Sequence, residues 1–260
     1  MRLSIEAVLD YAFSEPTDVL LAVEAAQLPD QQIIEQSHII DNAGPLTNLV
    51  GGSAIGRRTW TRSGVGQMVS RYRSVVDVER AAPDLGSLSR SPLPSLPRDV
   101  LPFIWPSRYC EADRFGSFVS GHFSGLDGGP LVQALSDWVR ENLQYVPGSS
   151  NANTTAADTF VAQQGVCRDY AHLTAALVRS RDIPARLVSV YALDLDPPDF
   201  HAVVEVWLDG AWHIVDSTGM APVEGMARIA VGRDATDIAF MTVFGTATMN
   251  CQSIQVTRLD

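Results

Sequence analysis

Through the first 80 residues, apolar positions recur at every second place. Leu3, Ile5, Ala7, Leu9, Tyr11 and Phe13 alternate with mostly polar neighbours, and Val19, Leu21 and Val23 resume the alternation after the Glu15-Pro16 break. A period of two predicts strands buried on one face. Short apolar patches follow around Ile39, Leu49 and Val75, separated by Gly, Pro, Asn and Asp. That spacing predicts antiparallel strands in a β-sandwich-like unit. Residues 83–107 then hold six of the chain's 15 prolines. Proline fixes φ and removes a backbone donor, so this stretch reads as a linker. The expected division is an N-terminal β-rich domain over 1–100, ending in that linker, and a second domain over 101–260.

The period changes from Leu131 onward. Leu131, Leu135, Trp138, Val139 and Leu143 have helical spacing, and a second short helix is expected over 156–163. Gly165 interrupts the chain. The segment CRDYAHLTAALVRSRDIPAR, rich in Ala and Leu with Leu173, Ala176, Leu177 and Ser180 along one stripe, is the strongest helix signal, and Pro184 stops it. Three strands are expected next, over 186–192, 201–208 and 211–216.

Composition narrows the class of protein. Of 260 residues, 46% are hydrophobic and 19% charged, ordinary values for a chain with a real core. A formal net charge of -11 repels phosphate backbones, so nucleic acid is not an expected partner. No apolar run reaches the length of a membrane span, and acidic residues interrupt the N-terminal apolar stretch. The expectations are no membrane association and a cytoplasmic location. Three cysteines, Cys110, Cys167 and Cys251, are too few and too scattered for a disulfide framework or a paired-cysteine zinc site. No metal or other cofactor is expected. Oligomeric state is not legible.

Of the three thiols, Cys167 alone opens a predicted helix. The positive end of the helix dipole and its unpaired N–H groups favour a thiolate and can stabilise an oxyanion. The contrary reading is a small buried hydrophobe, common for free cysteine. The segment HAVVEVWLDGAWHIVD weighs against that. Asp209-Gly210 is a preferred two-residue hairpin turn. It would pair Leu208 with Ala211, Trp207 with Trp212, Glu205 with Ile214 and Val203 with Asp216. His201 and Asp216 then share one sheet face as diagonal neighbours, roughly 7–8 Å apart at Cα. A cysteine, a histidine to move its proton and an aspartate to orient the histidine make up the triad of covalent acyl transfer. A three-residue loop would reverse the parity and separate the pair.

The remaining candidates read as structural. His213 points away from Asp216. His172 lies ~140° around the helix from Cys167. Neither Cys110 nor Cys251 opens a helix. Trp207 and Trp212 are either cleft-lining or a cross-strand packing pair.

Taken together, QQGVCRDYAHLTAALVRSRDIPARLVSVY and DFHAVVEVWLDGAWHIVDSTG resemble the transglutaminase-like superfamily, especially its bacterial cysteine-protease-like members. The matching elements are Gly165 and Cys167, Ile183 to Arg186, His201 to Glu205, and Trp212 with Asp216 and Thr218. The resemblance covers roughly residues 108–260. It implies an α+β, papain-like core: a helix bearing Cys167 packed on an antiparallel sheet bearing His201 and Asp216. Among the upstream residues Trp138, Tyr145 and Gln164, the expectation falls on Gln164 as an added oxyanion donor. The implied activity is hydrolysis of a peptide or isopeptide bond in a peptide or protein substrate, through a thioester. The alternatives are transglutaminase-type transfer to an amine, a non-catalytic binding module that keeps the fold, and metal binding by the three residues.

Overall fold

The computed structural model describes residues 1–49 and 55–259. Six strands open the chain: β1 (Arg2–Phe13), β2 (Asp18–Leu21), β3 (Gln31–Asp41), β4 (Thr47–Leu49), β5 (Arg58–Arg62) and β6 (Gly66–Val78). Burial along β1 alternates strictly, as its sequence predicts, with Leu3, Ile5, Ala7, Leu9, Tyr11 and Phe13 on the inner face. The proline-rich stretch contains three short 3-10 turns (Leu85–Ser87, Leu93–Ser95 and Leu101–Phe103). It lies against the later hairpin, where Arg90 bridges to Leu208.

The second half carries the helices α1 (Gly116–His122), α2 (Gly128–Asn142), α3 (Ala156–Ala162), α4 (Cys167–Arg179) and α5 (Ala235–Ile238). Between them run the two-residue strands β7 (Gln144–Tyr145) and β8 (Gln164–Gly165). Then come β9 (Ala185–Ala192), β10 (His201–Leu208), β11 (Ala211–Val215), β12 (Met226–Gly232), β13 (Met241–Val243) and β14 (Thr248–Arg258). An antiparallel sheet of order β11-β10-β9-β12 forms the centre of this half. Its even-numbered β10 residues, Val204, Val206 and Leu208, pack with α2 and α4 through Leu131, Leu135, Leu173, Ala176 and Leu177. This is the α+β arrangement of a helix on an antiparallel sheet.

The last two strands depart from the expected division at residue 100. β14 pairs with β1 along its length, giving a sheet of order β14-β1-β6-β3, and β13 joins β2 in the sheet β13-β2-β5-β4. Residues 241–258 therefore sit in the sheets of the N-terminal half. The two halves also share a core: Tyr191 of β9, Leu193 just after it, and Ala227 and Ile229 of β12 are buried with Leu3, Leu9, Phe13 and Tyr72. Strand pairing between distant segments leaves no local trace in hydropathy, which is why the linker looked like a clean boundary.

Candidate active site

The site is assembled where α4 begins. Gln163 ends α3 in the left-handed region at φ 52, and β8 pairs in parallel with β7. Gly165 lies against Asp169, where a Cβ would come within 2.6 Å of the Asp169 Cβ. The fully buried Asp169 carboxylate accepts the Val166 N–H at 2.8 Å. This fixes the first turn of α4 and places half-buried Cys167 at its first position. Amide groups there have no partner within the helix.

His201 begins β10 and is 2% exposed. Its register follows the predicted hairpin: Leu208 faces Ala211, Trp207 faces Trp212 and Glu205 faces Ile214. Asp209 and Gly210 both have positive φ, 47° and 78°, as a two-residue turn of this class requires. Asp216 follows β11, and its Oδ2 lies 3.0 Å from His201 Nε2. Its other oxygen, Oδ1, accepts the Thr218 N–H at 2.9 Å and the Thr218 hydroxyl at 2.7 Å. Next to it, buried Ser217 Oγ bridges Ser136 of α2 at 2.9 Å and Thr174 of α4 at 2.8 Å. The end of β11 is thereby tied to the helix that carries Cys167.

The electrostatics link the three residues. Burial alone would push His201 down. Hydrogen bonding to Asp216 and Cys167, with the charge on each, outweighs burial and raises it to about 10. Burial opposes ionisation of Asp216 too, but His201 and Thr218 hold its carboxyl below the usual range. His201 Nδ1 has no hydrogen-bond partner of regular geometry. With Nε2 taken by Asp216, Nδ1 is the nitrogen left for the Cys167 thiol.

Tyr145 completes the group. The short β7–β8 ladder sets it opposite Gly165, two residues before Cys167. Its ring is 39% exposed and lies 5.9 Å from that of Tyr170. Its hydroxyl is pushed up to about 12, by burial first and then by the Cys167 thiol, while the Cys167 backbone N–H acts in the opposite direction. The phenol therefore interacts with both the thiol and the backbone amide of Cys167.

A family model, the transglutaminase-like superfamily, matches residues 127–217, which include all of these groups except the neighbouring Thr218. The crystal structure of a putative cysteine protease from Cytophaga hutchinsonii superposes with a TM-score of 0.95. It is 33% identical, over 100% of this chain and 91% of that one. The chain belongs to the transglutaminase-like superfamily. An uncharacterized protein of Mycobacterium leprae is 34% identical over 119 residues, and one of Mycobacterium tuberculosis is 30% identical over 86. These alignments span 42% and 27% of those relatives' own lengths.

Within this transglutaminase-like frame, the other sequence candidates lie elsewhere. Gln164 is exposed; its backbone pairs with Gln144, and no hydrogen bond joins its side chain to Cys167. The upstream side chain that interacts with the thiol is Tyr145, which the parallel ladder sets opposite Gly165. Trp207 and Trp212 do not line this site. They sit at the hairpin's far end, six residues along β10 from His201, about 20 Å at strand rise. There they pack on each other and Trp212 packs on Phe103, with the Arg186 guanidinium 4.0 Å from the Trp212 ring centroid. His172 is buried and stacked on Tyr109, and its Nε2 accepts the Ala235 N–H. Burial pushes it down to about 3. His213 contacts the Leu208 carbonyl. Cys110 is fully buried and pushed up to about 12 by desolvation, whereas Cys251 is exposed on β14. Among the described residues, no group of three His, Cys, Asp or Glu side chains could hold a metal ion, and no helix is long and apolar enough to cross a membrane.

Proposed function

We propose that this protein is a cysteine-dependent acyl-transfer enzyme in which Cys167 is the nucleophile, His201 the acid and base, and Asp216 the group that orients His201. The observation that carries this reading is the placement of a helix-opening thiol beside an imidazole whose other nitrogen is 3.0 Å from a carboxylate. Fold membership does not choose a reaction; the site does.

In this reading the Cys167 thiolate attacks a carbonyl carbon. The oxyanion that forms takes the Cys167 backbone N–H and the Tyr145 hydroxyl, which interacts with both the backbone and the thiol of Cys167. The His201 imidazolium gives its proton to the leaving amine, and a thioester remains on Cys167. Neutral His201 then takes a proton from water, whose oxygen attacks the thioester and releases the acid. The favoured outcome is hydrolysis of a peptide or isopeptide bond. An amine in place of water would give transglutaminase-type transfer by the same first half-reaction.

The test is labelling with a neutral electrophilic thiol probe across pH, followed by peptide turnover. Cys167 is expected to label fast near neutral pH, and His201→Ala to slow it. Cys167→Ala abolishes turnover, and His201→Ala lowers it by about 10²–10⁴-fold. Tyr145→Phe lowers kcat by about 10²-fold if its hydroxyl serves the oxyanion. Labelling at the rate of a free thiol, unchanged by His201→Ala, would rule the reading out. Product analysis with a glutamine peptide and an amine separates transfer from hydrolysis.

A further inference from the structure

A second buried polar cluster lies in the N-terminal half and shares no residue with the candidate active site. Glu24, in the segment between β2 and β3, is 5% exposed. Its Oε1 accepts from His38 Nδ1 of β3 at 3.1 Å, and its Oε2 accepts from Arg57 Nη1 at 2.9 Å. With Nδ1–H on the carboxylate, His38 Nε2 accepts the hydroxyl of buried Ser70 of β6 at 2.8 Å. The segment carrying Glu24 is pinned on both sides. The Val23 carbonyl accepts the Tyr191 hydroxyl at 2.6 Å, and the Ala25 N–H donates to the Tyr72 hydroxyl at 3.0 Å. Burial opposes ionisation of Glu24, but His38, Arg57 and Thr59 outweigh it and hold its carboxyl below the usual range. Apolar residues of the same volume would stabilise the fold as well as such a buried ion pair does. Ser70 is too deeply buried to meet a substrate, so the Ser70–His38–Glu24 series supports Arg57 rather than reacts.

Arg57 stands where two clefts meet, of about 220 and 240 Å³, and Glu24 and Gln36 line both of them with it. The acceptor oxygens of the amides at this junction are already taken. The Tyr72 hydroxyl, which accepts the Ala25 N–H, gives its own proton to Gln36 Oε1 at 3.2 Å, and the Thr59 hydroxyl lies 3.0 Å from Asn48 Oδ1. What remains is a set of donors: Gln36 Nε2, Asn48 Nδ2, and Nε and Nη2 of Arg57, none of them hydrogen-bonded among the described residues. The Nε–Nη2 edge of a guanidinium is one that takes a carboxylate in two parallel bonds. Glu24 is the one carboxylate lining either cleft among the described residues, in a chain of net charge -11, and Arg57 already neutralises it. The walls of the larger cleft include Ala25, Leu28, Ile33 and Ile55. Gly56, at φ 103°, lies against the Ile229 carbonyl with no room for a side chain, which fixes the backbone beside Arg57.

We propose that these joined clefts bind a carboxylate carrying an apolar side chain, as the C-terminal residue of a peptide does, with Arg57 as the anchor. The free edge of Arg57 and the amide nitrogens of Gln36 and Asn48 take the carboxylate, and the apolar wall takes the side chain. A surface arginine ordinarily loses rotamer freedom when it binds; Glu24, itself held by His38, removes that freedom beforehand. A bare oxyanion would use the donors and leave the apolar wall empty, which favours the peptide terminus.

The test titrates acetyl-Ala-Leu into the full chain carrying Cys167→Ala, so that no peptide is turned over, with isothermal calorimetry at low salt. Saturable binding is expected for the free acid, and binding about tenfold or more weaker for its C-terminal amide. Acetyl-Ala-Gly, which lacks the apolar side chain, should bind about threefold or more weaker than acetyl-Ala-Leu. Arg57→Gln should erase the preference for the acid. Asn48→Asp, at an exposed position of β4, keeps an oxygen for Thr59 and replaces a donor with a negative charge; it should weaken the acid by about tenfold and leave the amide unmoved. Equal affinity for acid and amide overturns the proposal, as does the absence of saturable binding at millimolar peptide. So does acid binding unmoved by Asn48→Asp and by Arg57→Gln in variants whose circular dichroism matches the parent. Inorganic phosphate competing as tightly as the acid, or equal affinity for the Gly-terminated peptide, would overturn the assignment to a peptide terminus. The catalytic reading stands or falls separately, because Cys167 is absent from every arm.

Discussion

At the scale of single residues, the site is a chain of paired donors and acceptors. Thr218 occupies one oxygen of Asp216, which leaves the other for His201 Nε2, and this in turn leaves Nδ1 for the thiol. The pH behaviour follows from the same chain. His201 is raised to about 10, above its ordinary ~6.5, so its contribution to stability is full below ~6.5 and is lost as pH rises through about 10. Asp216 is depressed, so its contribution is present above ~3.9 and is lost as pH falls through its folded value. Because the proposed leaving-group acid is the imidazolium, turnover should fall on the alkaline side near pH 10. Asp216→Asn removes the charge and much of the hydrogen bonding that raise His201. The alkaline limb should then move down by more than one unit, read from the pH profile of kcat/KM and from the His201 ring signals in NMR. An unmoved limb would mean that another group controls it.

At the scale of elements, two local devices place the groups. One is the two-residue turn at Asp209-Gly210. Its residue count sets which face each β10 side chain takes, so His201 and Asp216 were placed together by counting from a turn. The other is the entry to α4, where Gly165 allows Asp169 to lie close and cap the helix start. Gly165→Ala puts a methyl 2.6 Å from the Asp169 Cβ, and something must shift. The expected cost is about 1–3 kcal/mol in chemical denaturation. Thiol labelling at Cys167 should also slow, because the displaced carboxylate is the one that holds the first turn. Wild-type labelling in the variant would show that Cys167 does not depend on this contact. The helix itself was legible from its Ala and Leu content, and its observed start at Cys167 agrees with the break at Gly165. The role of β7 was not legible. A two-residue parallel ladder has no periodicity to detect, so Tyr145 could not be chosen over Gln164.

At the scale of the whole molecule, the halves are joined by charge as well as by strand exchange. Glu205, fully buried in β10, pairs with Arg186 at 2.6 Å and with Arg228 at 2.7 Å; Arg228 also meets Asp30, which pairs with Arg80. Removing the shared carboxylate leaves two buried guanidiniums facing each other. Glu205→Ala should therefore destabilise the fold by about 3–5 kcal/mol, measured by denaturant unfolding, and more than the isosteric Glu205→Gln. A loss under about 1 kcal/mol would show the network to be well solvated.

Local pattern was sufficient for β1, β2, α2–α4, β9–β11 and the hairpin register, and it singled out the three side chains that the proposed site brings together, because alternation, turn length and helix entry act over a few residues. It could not say that β13 and β14 return to the first sheets, or that Tyr145 rather than a tryptophan or Gln164 interacts with the Cys167 thiol. Those facts depend on contacts between segments far apart in the chain, whose free energy appears once the chain has closed on itself.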